Sequence, residues 1–239
     1  ILFIDIICIE FVYKVIFSFK NFMHQSVQNL INIENKIKLN LANLQNKDLP
    51  KIIAVSKTFS IEHILPLINY GHKNFGENKV QEAIEKWIDL KVKNVDLKLH
   101  MIGRLQTNKV KSALTVFDYI HSVDSLKLAK KISDEQNKIN KKVKIFIQVN
   151  IGNEDQKSGI KKDEIKNLVL YCQELNLDLI GLMCIPPINV DPNSYFKDMY
   201  SINDSFGFSE LSMGMSSDFQ QAVENSATYL RIGSSIFGK

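Results

Sequence analysis

From Pro50 onward the sequence alternates between short apolar runs of strand type and longer stretches with helical spacing. The strand-like runs are Ile52–Ser56, Lys73–Phe75, Leu97–Ile102, Tyr119–Ser122, Val143–Val149, Leu179–Met183, Glu210–Met213 and Tyr229–Ile232. The helical stretches are Ile61–Tyr70, Asn78–Leu90, Asn108–Leu114, Ser125–Asn137, Lys162–Glu174, Tyr195–Phe206 and Ser217–Asn225. Pro66 is expected to bend or restart the first of these. A further amphipathic helix, Val27–Leu44, precedes them and ends before Asp48-Leu49-Pro50. About eight β/α repeats with mostly apolar strands imply a parallel sheet covered by helices. With eight strands the natural closure is a single (β/α)8 TIM barrel, an α/β fold. An open doubly wound sheet is disfavoured, because no two glycines are spaced as GxG; no Walker loop is present either.

The 239 residues suffice for one large core, and no Pro/Gly/Ser-rich linker divides them. A net charge of +4 is spread without a basic block carrying interleaved aromatics, which argues against nucleic acid as a partner. Cys8, Cys172 and Cys184 form no CxxC, and the five histidines show no HExxH spacing. Neither a disulfide framework nor a metal site is expected, and a reducing cytoplasmic setting fits. Residues 1–22 are rich in Ile, Phe and Val, but Asp5, Glu10 and Lys14 interrupt them. No apolar run approaches the ~20 residues a membrane span needs. The reading is an N-terminal extension over 1–22, with Met23 as the natural start of a barrel domain over 23–239. The competing reading is a peripheral membrane or partner helix.

In a barrel, functional residues collect at the C-terminal ends of strands. Lys57 ends the run Ile52-Ile53-Ala54-Val55-Ser56. Burial disfavours an ammonium, and a neutral amine forms an imine with an aldehyde. Most strand-end lysines are simply solvated, so the position gains weight only from the far end of the chain. There Gly214-Met215-Ser216-Ser217 and Gly233-Ser234-Ser235 stand where the loops after strands seven and eight of such barrels bind phosphate. Loop seven is read as opening a helix with free N–H groups; Ser216 or Ser217 as a plain helix cap is the structural alternative. Alternation turns either Arg231 or Ile232 into the barrel, where a guanidinium needs a partner: a carboxylate such as Glu77, or a ligand heteroatom. His100 is either a ligand contact or a hydrogen-bonded core histidine, and Asn78 either a contact or a cap. A lysine imine with a phosphate site fits a sugar-phosphate aldolase or a pyridoxal 5′-phosphate (PLP) protein. Arg231 tilts the reading to PLP, since arginine is a known partner of the pyridine nitrogen.

The stretches IIAVSKTFS, NFGENKVQEA, HMIGRLQTNK, IHSVDS, IQVNIGNEDQKSGI, GLMCIPP and LSMGMSSDFQQAVENSATYLRIGSSIFG resemble, in order and spacing, the motifs of the pyridoxal phosphate homeostasis protein family. That family is similar to the N-terminal barrel of alanine racemase. The resemblance runs from about Pro50 to Gly238. It implies Lys57 as the imine lysine, Arg231 at the pyridine nitrogen, and Ser216, Gly233 and Ser234 at the phosphate. It also implies Asn78, Met213 and the His100–Gly103 strand against the cofactor. Arg104 departs from the family's usual His or Pro, and residues 1–22 have no counterpart. The family implies a carrier or buffer of PLP in vitamin B6 and amino-acid homeostasis with no firmly established catalytic turnover; PLP-dependent apoenzymes as partners, no membrane and a monomeric state are expected alongside it.

The residues favour that carrier reading over a racemase-like enzyme. A cationic arginine disfavours protonation of the ring nitrogen and weakens the ring as an electron sink. No second domain of the kind that supplies the racemase with a tyrosine base is expected here. Nothing in the sequence marks Tyr70, Tyr119 or Tyr229 as a base.

Overall fold

The computed structural model describes residues 23–44 and 48–238. The expectations for residues 1–22 lie outside the described residues. Eight parallel strands close into a barrel in the order β1 to β8, with β1 paired to β8. They are β1 (Lys51–Val55), β2 (Asn74–Glu77), β3 (Lys98–Met101), β4 (Tyr119–Val123), β5 (Lys144–Val149), β6 (Asp178–Cys184), β7 (Glu210–Met215) and β8 (Tyr229–Ile232).

Helix α1 (Gln25–Leu44) precedes the barrel and buries Val27, Leu30, Ile33, Ile37 and Leu41 along one stripe. The strands are separated by α2 (Ile61–Tyr70), α3 (Val80–Lys93), α4 (Val110–Val116), α5 (Leu126–Ile139), α6 (Ile165–Glu174), α7 (Asn193–Ser205) and α8 (Phe219–Glu224), and α9 (Ser234–Phe237) follows β8. Two hydrophobic layers follow from strand alternation. The large one joins helix residues such as Leu67, Trp87 and Phe196 to strand residues such as Ala54, Leu99 and Leu230. The small one, Ile53, Phe146, Met183 and Tyr229, fills the barrel.

Several boundaries differ from those read off the sequence. Pro66 does not restart α2, which runs unbroken through it. The carbonyl that loses its donor belongs to Glu62, which is exposed and open to water. β2 runs on to Glu77 and β7 to Met215. Helix α8 starts at Phe219, because the Asp218 carboxylate takes the Met215 N–H at 2.6 Å and holds residues 216–218 as a turn. The Gly233-Ser234-Ser235 loop is in fact the start of the short α9.

Candidate functional site

The barrel mouth is built around the seam between its first and last strands. Ile53 pairs with Arg231 and Ala54 with Ile232, so the ends of β1 and β8 emerge side by side. Lys57 lies two residues past β1, in a turn where Thr58 has φ 67°. Its side chain is exposed, contrary to the buried setting from which a reactive lysine was argued. Gly233 lies just past β8; a Cβ there would sit 3.3 Å from Val55 Cβ and 3.4 Å from its carbonyl oxygen, so the loop crowds β1 closely. The Ser235 N–H donates to Ser216 Oγ at 3.2 Å, tying loop eight to loop seven. Ser216, Ser217 and Ser235 line a cavity of about 340 Å³ together with Asn29 and Lys36 of α1. That lysine was not singled out in the sequence, where it is one of many on a helix face.

Below the mouth, Arg231 is buried. It donates to Ser212 Oγ at 2.6 Å and to the Cys184 carbonyl at 2.8 Å. Among the described residues no carboxylate forms an ion pair with it. Burial pulls its pKa below the usual arginine value, yet a guanidinium stays charged in proteins. Ser212 also meets His121 Nδ1 at 2.9 Å, His121 Nε2 meets His100 Nδ1 at 3.0 Å, and His100 Nε2 meets Asn74 Oδ1 at 3.2 Å. Burial pushes both histidines well below the ordinary histidine range, with nearby cations helping: Lys51 for His100, and Arg231 for His121. His121 was not singled out, and its bond to Ser212 was not foreseen. They lie on β4 and β7, which are not neighbours in the sheet, and meet only across the lumen.

The rim above β2 and β3 is polar. Asn78 Oδ1 is buried with no hydrogen-bond partner among the described residues. A Cβ on Gly103 would lie 2.4 Å from the Asn78 carbonyl oxygen, so only glycine lets the two loops meet this closely. Asn78, Arg104, Gln106 and Lys109 share a cavity of about 330 Å³. Asp124, just past β4, has its pKa raised by burial, while the nearby Arg104 works in the opposite direction.

The structure therefore brings Lys57, Ser216, Arg231, Gly233 and Ser234 together around the β1, β7 and β8 ends, and Asn78 to the adjoining rim. It separates two of the expected residues. Met213 is fully buried in the layer between sheet and helices, because Ser212 beside it takes the inward position. Gly214 (φ 88°) then carries β7 through a register shift against β8. His100 is fully buried, and both ring nitrogens are taken by protein partners. It is a core histidine rather than a free ligand contact. Glu77 is not the partner of Arg231: its Oε1 accepts from Ser56 Oγ, Lys86 Nζ and Trp87 Nε1 at 2.8, 2.9 and 3.0 Å.

Comparison with known proteins agrees with the barrel fold. The family model for the alanine racemase N-terminal domain matches residues 32–239. The pyridoxal phosphate homeostasis protein of Aquifex aeolicus is 40% identical over 199 residues, covering 79% of this chain and 86% of the relative. The human pyridoxal phosphate homeostasis protein is 34% identical over 210 residues, covering 80% and 76%. The structure of PipY from Synechococcus elongatus with PLP bound superposes with a TM-score of 0.74 at 32% identity, covering 84% of this chain and all of PipY. Alanine racemase of Clostridium difficile shares the fold at 16% identity, with a TM-score of 0.66. This chain belongs to the alanine racemase N-terminal domain family and, within it, groups with the pyridoxal phosphate homeostasis proteins.

Proposed function

We propose that this chain binds PLP at the β1–β8 mouth and serves as a PLP carrier or buffer in vitamin B6 and amino-acid homeostasis. The observation that carries the reading is Arg231: a buried guanidinium with no carboxylate partner and unused N–H donors. A buried cation of this kind is costly unless something polar or anionic meets it. The crowded Gly233 and the tied Ser216–Ser235 loops fit a phosphate beside it. The orphaned Asn78 Oδ1 offers an acceptor at the rim. The relatives' names and the PLP-bound PipY structure support the same group.

When bound, PLP supplies an aldehyde, a ring nitrogen and a phosphate ester. In this reading Lys57 would hold PLP at its aldehyde, Arg231 would meet the ring nitrogen, Ser216, Gly233 and Ser234 would hold the phosphate, and Asn78 would stand at the rim. Arg231 keeps a proton off the ring nitrogen, which limits carbanion chemistry.

Storage rather than turnover fits the remaining groups. Tyr119 and Tyr229 belong to the barrel interior, and burial pushes both phenols up to about 12, far from a working base at neutral pH. Delivery to PLP-dependent apoenzymes, a monomeric state and a cytoplasmic setting belong to this reading. Among the described residues no helix is long and apolar enough to cross a membrane.

The test is the visible absorption spectrum of purified protein after addition of PLP, followed by borohydride reduction and peptide mapping. A band and a label on Lys57 support the reading. A colourless protein, or a label elsewhere, overturns it. Amino-acid turnover by the loaded protein would favour a racemase-like enzyme over a carrier.

A further inference from the structure

We propose that Ser212 and His121 are positioning residues for Arg231, joined with His100 and Asn74 in a one-directional hydrogen-bonded relay that aims the guanidinium at the ligand. The proposal rests on the PLP reading of the mouth.

The direction of every bond follows from the two ends. Arg231 only donates, so Ser212 Oγ accepts from it at 2.6 Å. A hydroxyl keeps a second lone pair, so the next bond is fixed from the other end. Asn74 Oδ1 only accepts, so neutral His100 donates to it from Nε2 and accepts on Nδ1. Neutral His121 does the same one step on, and the Ser212 hydroxyl donates to His121 Nδ1 at 2.9 Å. His121 therefore carries its proton on Nε2 and donates to His100 Nδ1 at 3.0 Å. His100 likewise carries its proton on Nε2 and donates to Asn74 Oδ1 at 3.2 Å. Each imidazole has one proton and both are neutral, in line with their complete burial.

The consequence for Arg231 is geometric. A lone serine hydroxyl is a free rotor that presents either its proton or its lone pair. Here His121 fixes the proton, so the lone pair faces Arg231 permanently. With the Cys184 carbonyl as second anchor, the guanidinium plane has two fixed acceptors, and its remaining N–H groups take a defined direction. His121 is in turn held by stacking on Phe146, and His100 by stacking on Tyr119, with centroids 4.3 and 4.2 Å apart. A relay of this kind is a support structure: none of its inner members needs to touch the ligand.

The test uses the full chain. In PLP-free protein, ¹⁵N NMR of the histidine rings should show His100 and His121 neutral and protonated on Nε2 near neutral pH. In PLP-loaded protein, Ser212→Ala and His121→Phe should each speed PLP release about tenfold, the worth of one hydrogen bond to a charged group. Each should also shift the visible band in the same direction. The double variant should be no worse than either single one, because both break one chain. His121→Gln should recover much of the loss, since its amide offers an oxygen to Ser212 and an N–H to His100. Should His121→Phe fail to fold, Ser212→Ala, which removes a single hydroxyl, decides the matter alone. Wild-type release and spectrum in Ser212→Ala, additive losses in the double variant, or the other tautomer on either ring would overturn the relay. A wild-type protein that forms no Lys57-linked band would overturn the PLP reading instead, while the NMR result would still report whether the relay exists.

Discussion

Ile53 and Arg231 are register partners across the seam that closes the barrel. From that pair, Lys57 is four residues along one strand path and Gly233 two along the other, so the residues proposed for the covalent and phosphate contacts stand at adjacent strand ends. Lys57→Ala is expected to abolish the visible band of PLP-loaded protein and leave the fold intact, because the exposed side chain has no hydrogen bond or ion pair among the described residues. Circular dichroism and borohydride labelling check the two halves. A surviving band in the variant would move the covalent role elsewhere.

Arg231→Met should separate binding from stability. It removes a buried charge that no carboxylate pairs with directly among the described residues, and it leaves the Cys184 carbonyl without its donor. These effects oppose each other, so the unfolding midpoint of PLP-free protein should move little. PLP affinity should fall at least about tenfold, the value of a charge-assisted hydrogen bond. Arg231→Lys should not restore it, since an ammonium cannot hold both acceptors in a fixed plane. Titration of PLP and thermal melts of both variants provide the measurement.

Glu77 is expected to matter for stability rather than for PLP. Its fully buried carboxylate collects Ser56, Lys86 and Trp87. Glu77→Ala strands the Lys86 ammonium and the indole N–H, and should cost about 3–5 kcal/mol in urea unfolding. Glu77→Gln keeps an acceptor for the indole and should cost about 1–3 kcal/mol. A stable Ala variant with weakened PLP binding would reverse this assignment.

Gly103→Ala should loosen the rim. The new methyl would meet the Asn78 carbonyl at 2.4 Å and its Cβ at 2.7 Å, forcing the loop after β2 outward. Overpacking of this kind costs about 1–3 kcal/mol, and PLP affinity should fall with it. Equal affinity in variant and wild type would exclude Asn78 from the site.

Stability should fall as the solution is acidified below the ordinary histidine pKa of about 6.5. Burial lowers His72 to about 4 and takes His100 and His121 well below their usual range. In this window the unfolded chain binds protons that the folded one refuses, so unfolding free energy rises with pH and is lost on acidification. Each histidine contributes about 1.4 kcal/mol per pH unit at most. His72→Gln should reduce the slope by about one proton, measured by urea unfolding at several pH values between 4 and 7. An unchanged slope would mean that His72 is protonated in the folded state.

The barrel was legible because strands covered on both faces read as apolar runs between helical stripes. Boundaries were less so where tertiary contacts set them. Asp218 rather than Ser217 takes the N–H that decides where α8 starts, and Pro66 sits over an exposed carbonyl that tolerates losing its donor. Lys57, Ser216, Arg231 and Gly233 could be singled out because strand order alone places them at the mouth. Asn74, His100 and Ser212 also stand at strand positions the sequence offers, but their joining through His121 could not be read. The hydrogen-bonded chain joins β2, β3, β4 and β7 through the lumen, and pairings across a lumen depend on strand tilt and stagger that no local pattern encodes. Met213 was misplaced for the same reason: one step of alternation separates it from Ser212.

The closing seam also sets a timetable for the nascent chain. Lys57 and Arg231 are 231 − 57 = 174 residues apart in sequence, yet their strands are hydrogen-bonded neighbours. Helix α1, made first, is tied to the last helix by the Asn29 side chain donating to the Ile236 carbonyl at 2.9 Å. Until β8 and the helix after it leave the ribosome, β1 keeps an open edge and α1 lacks part of its cover. Early fragments therefore hold Lys57 without the β8 residues proposed to share its site, and on that reading PLP retention waits for β8. Contacts this distant in sequence close slowly, and the waiting strand edge is the point at which incomplete chains are most exposed to aggregation.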